Sequence, residues 1–323
     1  NLNLVNKKII FTSGATESNN LALFGFARNF QQRTGQYGNI ITVKTEHQAV
    51  LGPLRQLKKE GFSITELNPE SDGLILEENL LNALRDDTFL ITIMFANNEI
   101  GVIQPIEKIF KICQENNIKF HTDAAQCLGY LPIKNFDSLA NMITLSSHKI
   151  YGPKGIGLLI IDEDIQLNPL IYGGGQEFGY RSGTIPLPLI IGFSKAIELA
   201  IKNQERNSIK LTNLRDTLMN GLLKKNSRIL INGSIIDRLP HNLNLTVLDV
   251  NGSKFHKNIK YQIACSSGSA CSNGEVSHVL TSIGRSFKEA ESSVRLSIGL
   301  TTTAEEIEKS IDLITETINK LRK

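Results

Sequence analysis

Over its first two thirds the chain alternates short apolar runs with stretches whose apolar residues recur every three or four positions. That rhythm restricts it to a sheet layered with helices. Ile40-Ile41-Thr42-Val43 has the composition of a strand, and residues 49–60 follow with Leu51, Leu54 and Leu57 on one helical face. Residues 62–67 alternate like a strand, and residues 77–85 return to helical spacing. Residues 89–95 form a continuous apolar run of buried-strand length, residues 106–116 are helical, and residues 118–122, 142–145 and 157–161 are further strands. Such a βα succession predicts an α/β fold with a mostly parallel sheet covered by helices on both faces.

The pattern changes after Pro188. Residues 189–225 are expected to form one long helix, with Gly192 and Gly221 tolerated inside it. Beyond it lie strands at 229–231 and 243–248, a turn rich in glycine and serine, and a final helix over 303–321. Thr303 and Glu306 form a capping-box pair at the start of that helix. We expect a large domain over residues 1–205 and a smaller C-terminal α/β domain over 206–323; 323 residues are enough to bury both.

Composition excludes several classes. With 41% hydrophobic and 21% charged residues and a net charge of +3, the chain has no basic excess that would favour nucleic acid or a membrane surface. No stretch approaches the roughly 20 apolar residues of a membrane span. Nothing at the front has the layout of a signal peptide. The four cysteines are too sparse for a secreted disulfide scaffold, and none form a C-x-x-C pair, which favours a reducing compartment. The Asn-x-Ser/Thr triplets at Asn232, Asn244 and Asn251 are then chance matches. No metal-ligand spacing is present, so no metal is expected. The chain opens at Asn1 and reaches the apolar run Ile9-Ile10-Phe11 almost at once. We therefore expect an N-terminal stretch to be missing from it.

In an open α/β sheet, ligands bind beyond the carboxyl ends of the strands. After the first strand, GATESNN (14–20) opens a helix, as an anion cradle or as a plain N-cap. After the second, Thr45-Glu46-His47 places an imidazole that is either a surface residue or a ring-stacking proton carrier. Asn97-Asn98-Glu99-Ile100-Gly101 suits a turn and equally a hydrogen bond to a ligand oxygen. His121-Thr122-Asp123 puts a carboxylate at a buried strand end, where it is costly unless a cation such as a pyridinium N–H pairs with it. Ser146-Ser147-His148-Lys149 sets a lysine just past a strand, where a desolvated amine of lowered pKa forms a Schiff base with an aldehyde cofactor. The glycines that follow fit neither the dinucleotide nor the P-loop spacing. Phosphate cradle, aspartate, lysine and histidine together make the equipment for pyridoxal 5'-phosphate (PLP).

Eight stretches carry a resemblance: GATESNN (14–20), TEH (45–47), NNEIG (97–101), HTDAAQ (121–126), SSHKIYGPKGIG (146–157), RSGT (181–184), SSGSAC (266–271) and SSVR (292–295). In this order the chain resembles cysteine desulfurases of the NifS/IscS-like type, in the class V aminotransferase group of PLP-dependent fold type I enzymes. The resemblance implies that Lys149 binds PLP covalently, Asp123 pairs with the pyridine nitrogen and His47 stacks on the ring. It implies that Asn98 and Gln126 contact the ring, that Ala15, Thr16, Ser146 and His148 hold the phosphate, and that Thr184 reaches a phosphate across a homodimer. Arg295, with Asn98, would bind the carboxylate of an L-cysteine substrate. Cys271 would take the sulfur as a persulfide, leave L-alanine, and pass the sulfur to a scaffold or carrier protein, as in iron–sulfur cluster assembly. Cys265, after Ile263-Ala264, is instead expected to be a buried strand-end thiol. A cytoplasmic or organelle-matrix location accords with these expectations.

The chain departs from the family in two respects. The N-terminal segment, with its aspartate-alanine-threonine and asparagine-proline-serine motifs, is absent from it, and the stretch after Cys271 is shorter than in long-loop members. Two readings compete. One is another class V enzyme, such as a selenocysteine lyase, a cystine lyase or an aminotransferase, which Cys271 discriminates. The other is an inactive scaffold subunit, which cofactor occupancy discriminates.

Overall fold

The computed structural model describes residues 4, 6–133, 139–267 and 276–322. Two compact units emerge. The first comprises Asn1–Leu67, Ile75–Ala96 and Gln104–Gln204; the second comprises Asn68–Leu74, Asn97–Ile103 and Glu205–Lys323. Two short segments from the first two thirds of the sequence thus belong to the second unit, and one of them carries Asn98.

The first unit runs β1 (Lys7–Thr12), α1 (Ala15–Thr34), β2 (Asn39–Val43), α2 (Gln48–Glu60), β3 (Ser63–Leu67), α3 (Glu77–Ala83), β4 (Thr88–Thr92), α4 (Ile106–Glu115), β5 (Lys119–Asp123), β6 (Met142–Ser146), β7 (Gly157–Asp162) and α5 (Leu187–Lys202). Its seven strands order as β1-β7-β6-β5-β4-β2-β3. Pairing is parallel from β3 through β6, while β7 runs antiparallel to both β6 and β1. This is the α/β class with a mostly parallel sheet. The interior strands β2, β4 and β6 are buried at every position, whereas the edge strands β1 and β3 are mostly half-buried. Burial on both faces explains why these strands read as mostly apolar runs without a polar alternation. Each fully buried Leu or Ile contributes about 1.5–3 kcal/mol, and Ile40, Leu54, Leu57 and Leu90 belong to one such core. Phe30 stacks on Phe89 in that core, ring centroids 4.0 Å apart.

The second unit runs α6 (Gln204–Lys225), β8 (Ile229–Ile231), β9 (Asn242–Val247), α7 (Gly252–Ile259), β10 (Ser266–Ser267), α8 (His278–Ser282), α9 (Phe287–Glu291), β11 (Ser293–Ser297) and α10 (Ala304–Leu321). Its four strands order as β10-β11-β9-β8, all antiparallel. Thr303 caps α10 in a capping box with Glu306, as the sequence predicts. The long helix expected over 189–225 is two helices instead. Asn203 ends α5: its backbone N–H and its side-chain Nδ2 both donate to the Leu199 carbonyl, the latter at 2.8 Å. That side chain satisfies a helix-end acceptor and competes with continuation.

Candidate active site

Because β7 is antiparallel to both its neighbours, β1 points the same way as the parallel strands. The carboxyl ends of β1, β2, β5 and β6 therefore share one edge of the sheet. Along it stand Gly14-Ala15-Thr16, His47, Asp123 and the Ser146–Lys149 turn, so that edge collects most of the first unit's expected site residues.

Gly157 holds the first two of these stretches together. It pairs with both Thr12 and Ser146 in the strand register. A Cβ there would lie 2.7 Å from the Gly14 backbone. A side chain at 157 would thus push the start of α1 away from Ser146. Gly14, at φ +153°, is the N-cap of α1 and provides no side-chain cap. The first amides of α1, those of Ala15 and Thr16, have no intrahelical acceptor. Ser146 Oγ and His148 Nδ1 share a 3.1 Å hydrogen bond beside them. Burial, then the charges of Lys149 and Lys154, push His148 below its usual pKa.

Arg181 closes the same corner. Its Nε donates to Glu17 Oε1 at 2.9 Å, while the Ser13 amide donates to Glu17 Oε2 at 2.7 Å. Burial raises the Glu17 pKa, but these hydrogen bonds outweigh it and the net shift is downward. Thr184, three residues beyond Arg181, is exposed; among the described residues no hydrogen bond joins it to the strand-edge group.

Asp123 is 8% exposed at the end of β5. Its Oδ2 accepts from Asn19 Nδ2 at 2.6 Å and its Oδ1 from the Ala125 amide at 3.0 Å. Each carboxylate oxygen has a second lone pair, so acceptor capacity remains. His47 is the N-cap of α2, and its Nδ1 accepts from the Ala49 amide at 3.1 Å. This bond places the proton of the neutral ring on Nε2. Gln126 follows Asp123 in the turn after β5 and is half-buried.

Lys149 lies in a short 3-10 helix, Ser147–Ile150, that ends the buried run of β6, and it is exposed. The expectation of a desolvated amine is therefore corrected. The turn carries the side chain past the sheet edge, while only its neighbours Ser147 and Ile150 are buried. Tyr130 donates from its hydroxyl to the Lys149 carbonyl at 3.3 Å. Gly152 lets the turn close: a Cβ there would meet Ser147 Oγ at 2.2 Å and Ala196 Cβ at 2.9 Å.

The sequence reading assigned no role to Glu46 or Asn19, although both lie inside quoted motifs. Glu46 is fully buried, and its Oε1 accepts from the Met94 amide at 2.5 Å. Burial first, and the neighbouring Asp123 second, push its pKa well above the usual carboxylate range. A carboxyl residue directly preceding an expected site histidine, three residues past the fully buried strand β2, was the available signal.

In the second unit, Arg295 on β11 donates from Nη1 to the Asn98 carbonyl at 3.0 Å. Its Nε is buried with no acceptor among the described residues. Cys271 lies outside the described residues. Cys265 immediately precedes β10 and is half-buried rather than buried at a strand end, and burial pushes its thiol up. The thiols of Cys113 and Cys127 are buried, and burial raises both, Cys113 to about 12.

The donor set of the first unit fits PLP. Uncapped helix amides, a hydroxyl and an imidazole suit a phosphate. A buried carboxylate with a spare lone pair suits a pyridine N–H, and an amine past the strand end suits an aldehyde.

Comparison with known proteins places this geometry in context. The aminotransferase class-V family matches residues 2–309. A cysteine desulfurase IscS of Histophilus somni is 47% identical over 98% of this chain and 78% of its own length. Among solved structures, a NifS-like protein superposes with a TM-score of 0.89 at 33% identity, covering 97% of this chain and 83% of its own. A structure of SspA in complex with cysteine superposes with a TM-score of 0.76 at 38% identity, covering 91% and 82% respectively.

Proposed function

The chain belongs to the class V aminotransferase family, and from that membership we infer that it is a cysteine desulfurase. The reading is carried by the strand-edge set of the first unit, with Lys149 past β6 and Asp123 at the end of β5.

PLP is the cofactor this set would hold. The Ala15 and Thr16 amides, with Ser146 and His148, bind its phosphate; a His148 ring kept neutral donates one hydrogen bond without adding charge. Thr184 serves a phosphate across a homodimer. Asp123 accepts from the pyridine N–H, and Asn19 keeps that carboxylate aimed. His47 packs on the ring and, through Nε2, holds a proton beside it. Asn98 contacts the ring, Gln126 faces its phenolic oxygen, and Lys149 supplies the amine that binds its aldehyde. When bound, PLP supplies an electron sink for charge developing on substrate carbon.

Arg295 binds the substrate carboxylate, a task for which a guanidinium has the matching fork. The substrate is L-cysteine, and the Cys271 thiolate attacks its sulfur. The new S–S bond uses the thiolate's electron pair; the broken C–S pair stays with carbon, which takes a proton. L-cysteine and the enzyme thiol become L-alanine and an enzyme persulfide. Transfer to an acceptor thiol on a scaffold or carrier protein then regenerates Cys271.

A second copy of the chain is the natural occupant of the apolar surface near Thr184. Tyr172, Phe178, Ile185, Leu187 and Ile191 are all exposed in the stretch of sequence that contains Thr184, and such a run of exposed apolar side chains favours an interaction face. Among the described residues no helix is long and apolar enough to cross a membrane.

The test is borohydride reduction of the purified holoprotein, peptide mapping, and assay of alanine and sulfide from L-cysteine with a thiol reductant. A pyridoxyl adduct on Lys149, with equal alanine and sulfide, is expected. An unmodified Lys149, or turnover undiminished in Cys271→Ala, would overturn the reading.

A further inference from the structure

Strand β9 has the sequence Asn-Leu-Asn-Leu-Thr-Val, which alternates between polar and apolar residues. Such alternation ordinarily means one face on the core and one in water. Here both faces are buried. Leu243, Leu245 and Val247 are fully buried on one side; Asn242, Asn244 and Thr246 are 3%, 1% and 0% exposed on the other. Burying amides is costly unless each is hydrogen-bonded, so the partners they find reveal what the face holds.

Those partners are the turn at 97–101. Asn244 Nδ2 donates to the Glu99 carbonyl at 3.0 Å, and Asn242 Nδ2 donates to the same carbonyl at 3.2 Å. Gly101, at φ +74°, lets the turn lie this close, since a Cβ there would meet Asn242 Oδ1 at 2.6 Å. Asn244 is held in turn from behind: Asn232 Nδ2 donates to Asn244 Oδ1 at 2.8 Å and to Thr246 Oγ1 at 3.0 Å. Arg285 Nε donates to Asn232 Oδ1 at 2.6 Å. An unbroken run of bonds thus leads from Arg285 through Asn232 and Asn244 to the Glu99 carbonyl.

The neighbouring carbonyl in that turn, Asn98, is the acceptor for Arg295 Nη1 at 3.0 Å. Arg295 and Asn244 are also directly opposite in the β11–β9 register. One guanidinium nitrogen is therefore tied to the carbonyl next to the one that the β9 amides hold, and Asn242 Nδ2 also reaches that Asn98 carbonyl at 3.5 Å. Nη2 and Nε keep donor capacity for a carboxylate.

We propose that Asn244, backed by Asn232, is a positioning residue for substrate carboxylate recognition: it fixes the Glu99 carbonyl, and with it the turn that presents the adjacent Asn98 carbonyl to the Arg295 guanidinium. The proposal rests on the reading of Arg295 as the carboxylate-binding residue. It deepens that reading by assigning the buried polar face of β9 to substrate affinity, as distinct from cofactor retention. A residue that only supported the fold would affect cofactor binding and all ligands alike.

The experiment uses the PLP-loaded protein and two probes that perturb the cofactor absorbance: L-alanine, which carries a carboxylate, and cysteamine, which lacks one. In Asn244→Leu, a substitution of similar volume, the dissociation constant for L-alanine and the KM for L-cysteine should rise roughly tenfold, the order expected for losing a hydrogen bond that orients a charged group. Cysteamine affinity, cofactor absorbance and kcat should stay within about twofold, since an effect near RT is too small to signal a lost hydrogen bond. Asn232→Ser acts one bond further back and should move the same constants in the same direction; it keeps the test available if Asn244→Leu does not fold. Equal losses for L-alanine and cysteamine would overturn the proposal, as would unchanged L-alanine affinity in both variants while Arg295→Lys weakens it. Unchanged L-alanine affinity in Arg295→Lys would remove the carboxylate role of Arg295 itself, and the proposal with it.

Discussion

Replacing Glu46 with glutamine isolates the state of a carboxyl that the fold buries completely. Burial and the nearby Asp123 hold its pKa well above the ordinary range. The folded chain therefore keeps a proton on Glu46 at pH values where the unfolded chain has released it. Stability linked to that proton is fully present below the unfolded pKa and is lost as pH rises from there through the folded pKa. For one proton the slope is about 1.4 kcal/mol per pH unit. Glutamine is the neutral isostere, and its carbonyl can still accept from the Met94 amide. It does not titrate, so the stability of Glu46→Gln relative to the parent should increase with pH by up to that slope. Urea unfolding of both proteins from about pH 5 to about pH 8, followed by circular dichroism, measures the difference. Parallel pH profiles would show that Glu46 is ionised in the fold and would refute the reasoning.

Three further outcomes follow from the site geometry. Gly157→Ala places a Cβ 2.7 Å from the Gly14 backbone; the cofactor dissociation constant, read from its absorbance, should rise at least about tenfold, the equivalent of 1.4 kcal/mol. Gly152→Ala drives a Cβ to 2.2 Å from Ser147 Oγ and should lower the melting temperature by several degrees, as expected for about 1–3 kcal/mol of overpacking. If Asp123 accepts from the pyridine N–H as proposed, Asp123→Ala should abolish alanine production while Lys149 is still labelled by borohydride; retained turnover would exclude that role.

Much of this was legible in the chain because interior parallel strands bury both faces. β2, β4 and β6 stand out as short, mostly apolar runs, β5 follows a helical stretch at strand spacing, and the carboxyl end of each strand is where ligand chemistry is expected. His47, Asp123 and Ser146–Lys149 are therefore visible by position. What resisted reading was non-local. Nothing in the sequence brings Asn19 to Asp123, 104 residues away, or Arg181 to Glu17, 164 residues away. Asn203 was hidden because a single asparagine does not outweigh the apolar spacing on either side, yet its side chain ends α5. The buried polar face of β9 was hidden in the same way: nothing in its Asn-Leu-Asn-Leu-Thr-Val sequence announces that the turn at 97–101 bonds to its polar side. The exposure of Lys149 likewise depends on a turn whose geometry local composition does not specify.

The central claim is that this chain transfers the sulfur of L-cysteine to its own Cys271. Its most direct test is to mix the PLP-loaded protein with L-cysteine without reductant, trap persulfides by alkylation, and map the peptides by mass spectrometry. One additional sulfur atom on the Cys271 peptide, with alanine formed in equal amount and Cys265 unmodified, is the predicted result. Alanine and sulfide released with no added sulfur on Cys271, or sulfur added at Cys265 instead, would contradict it.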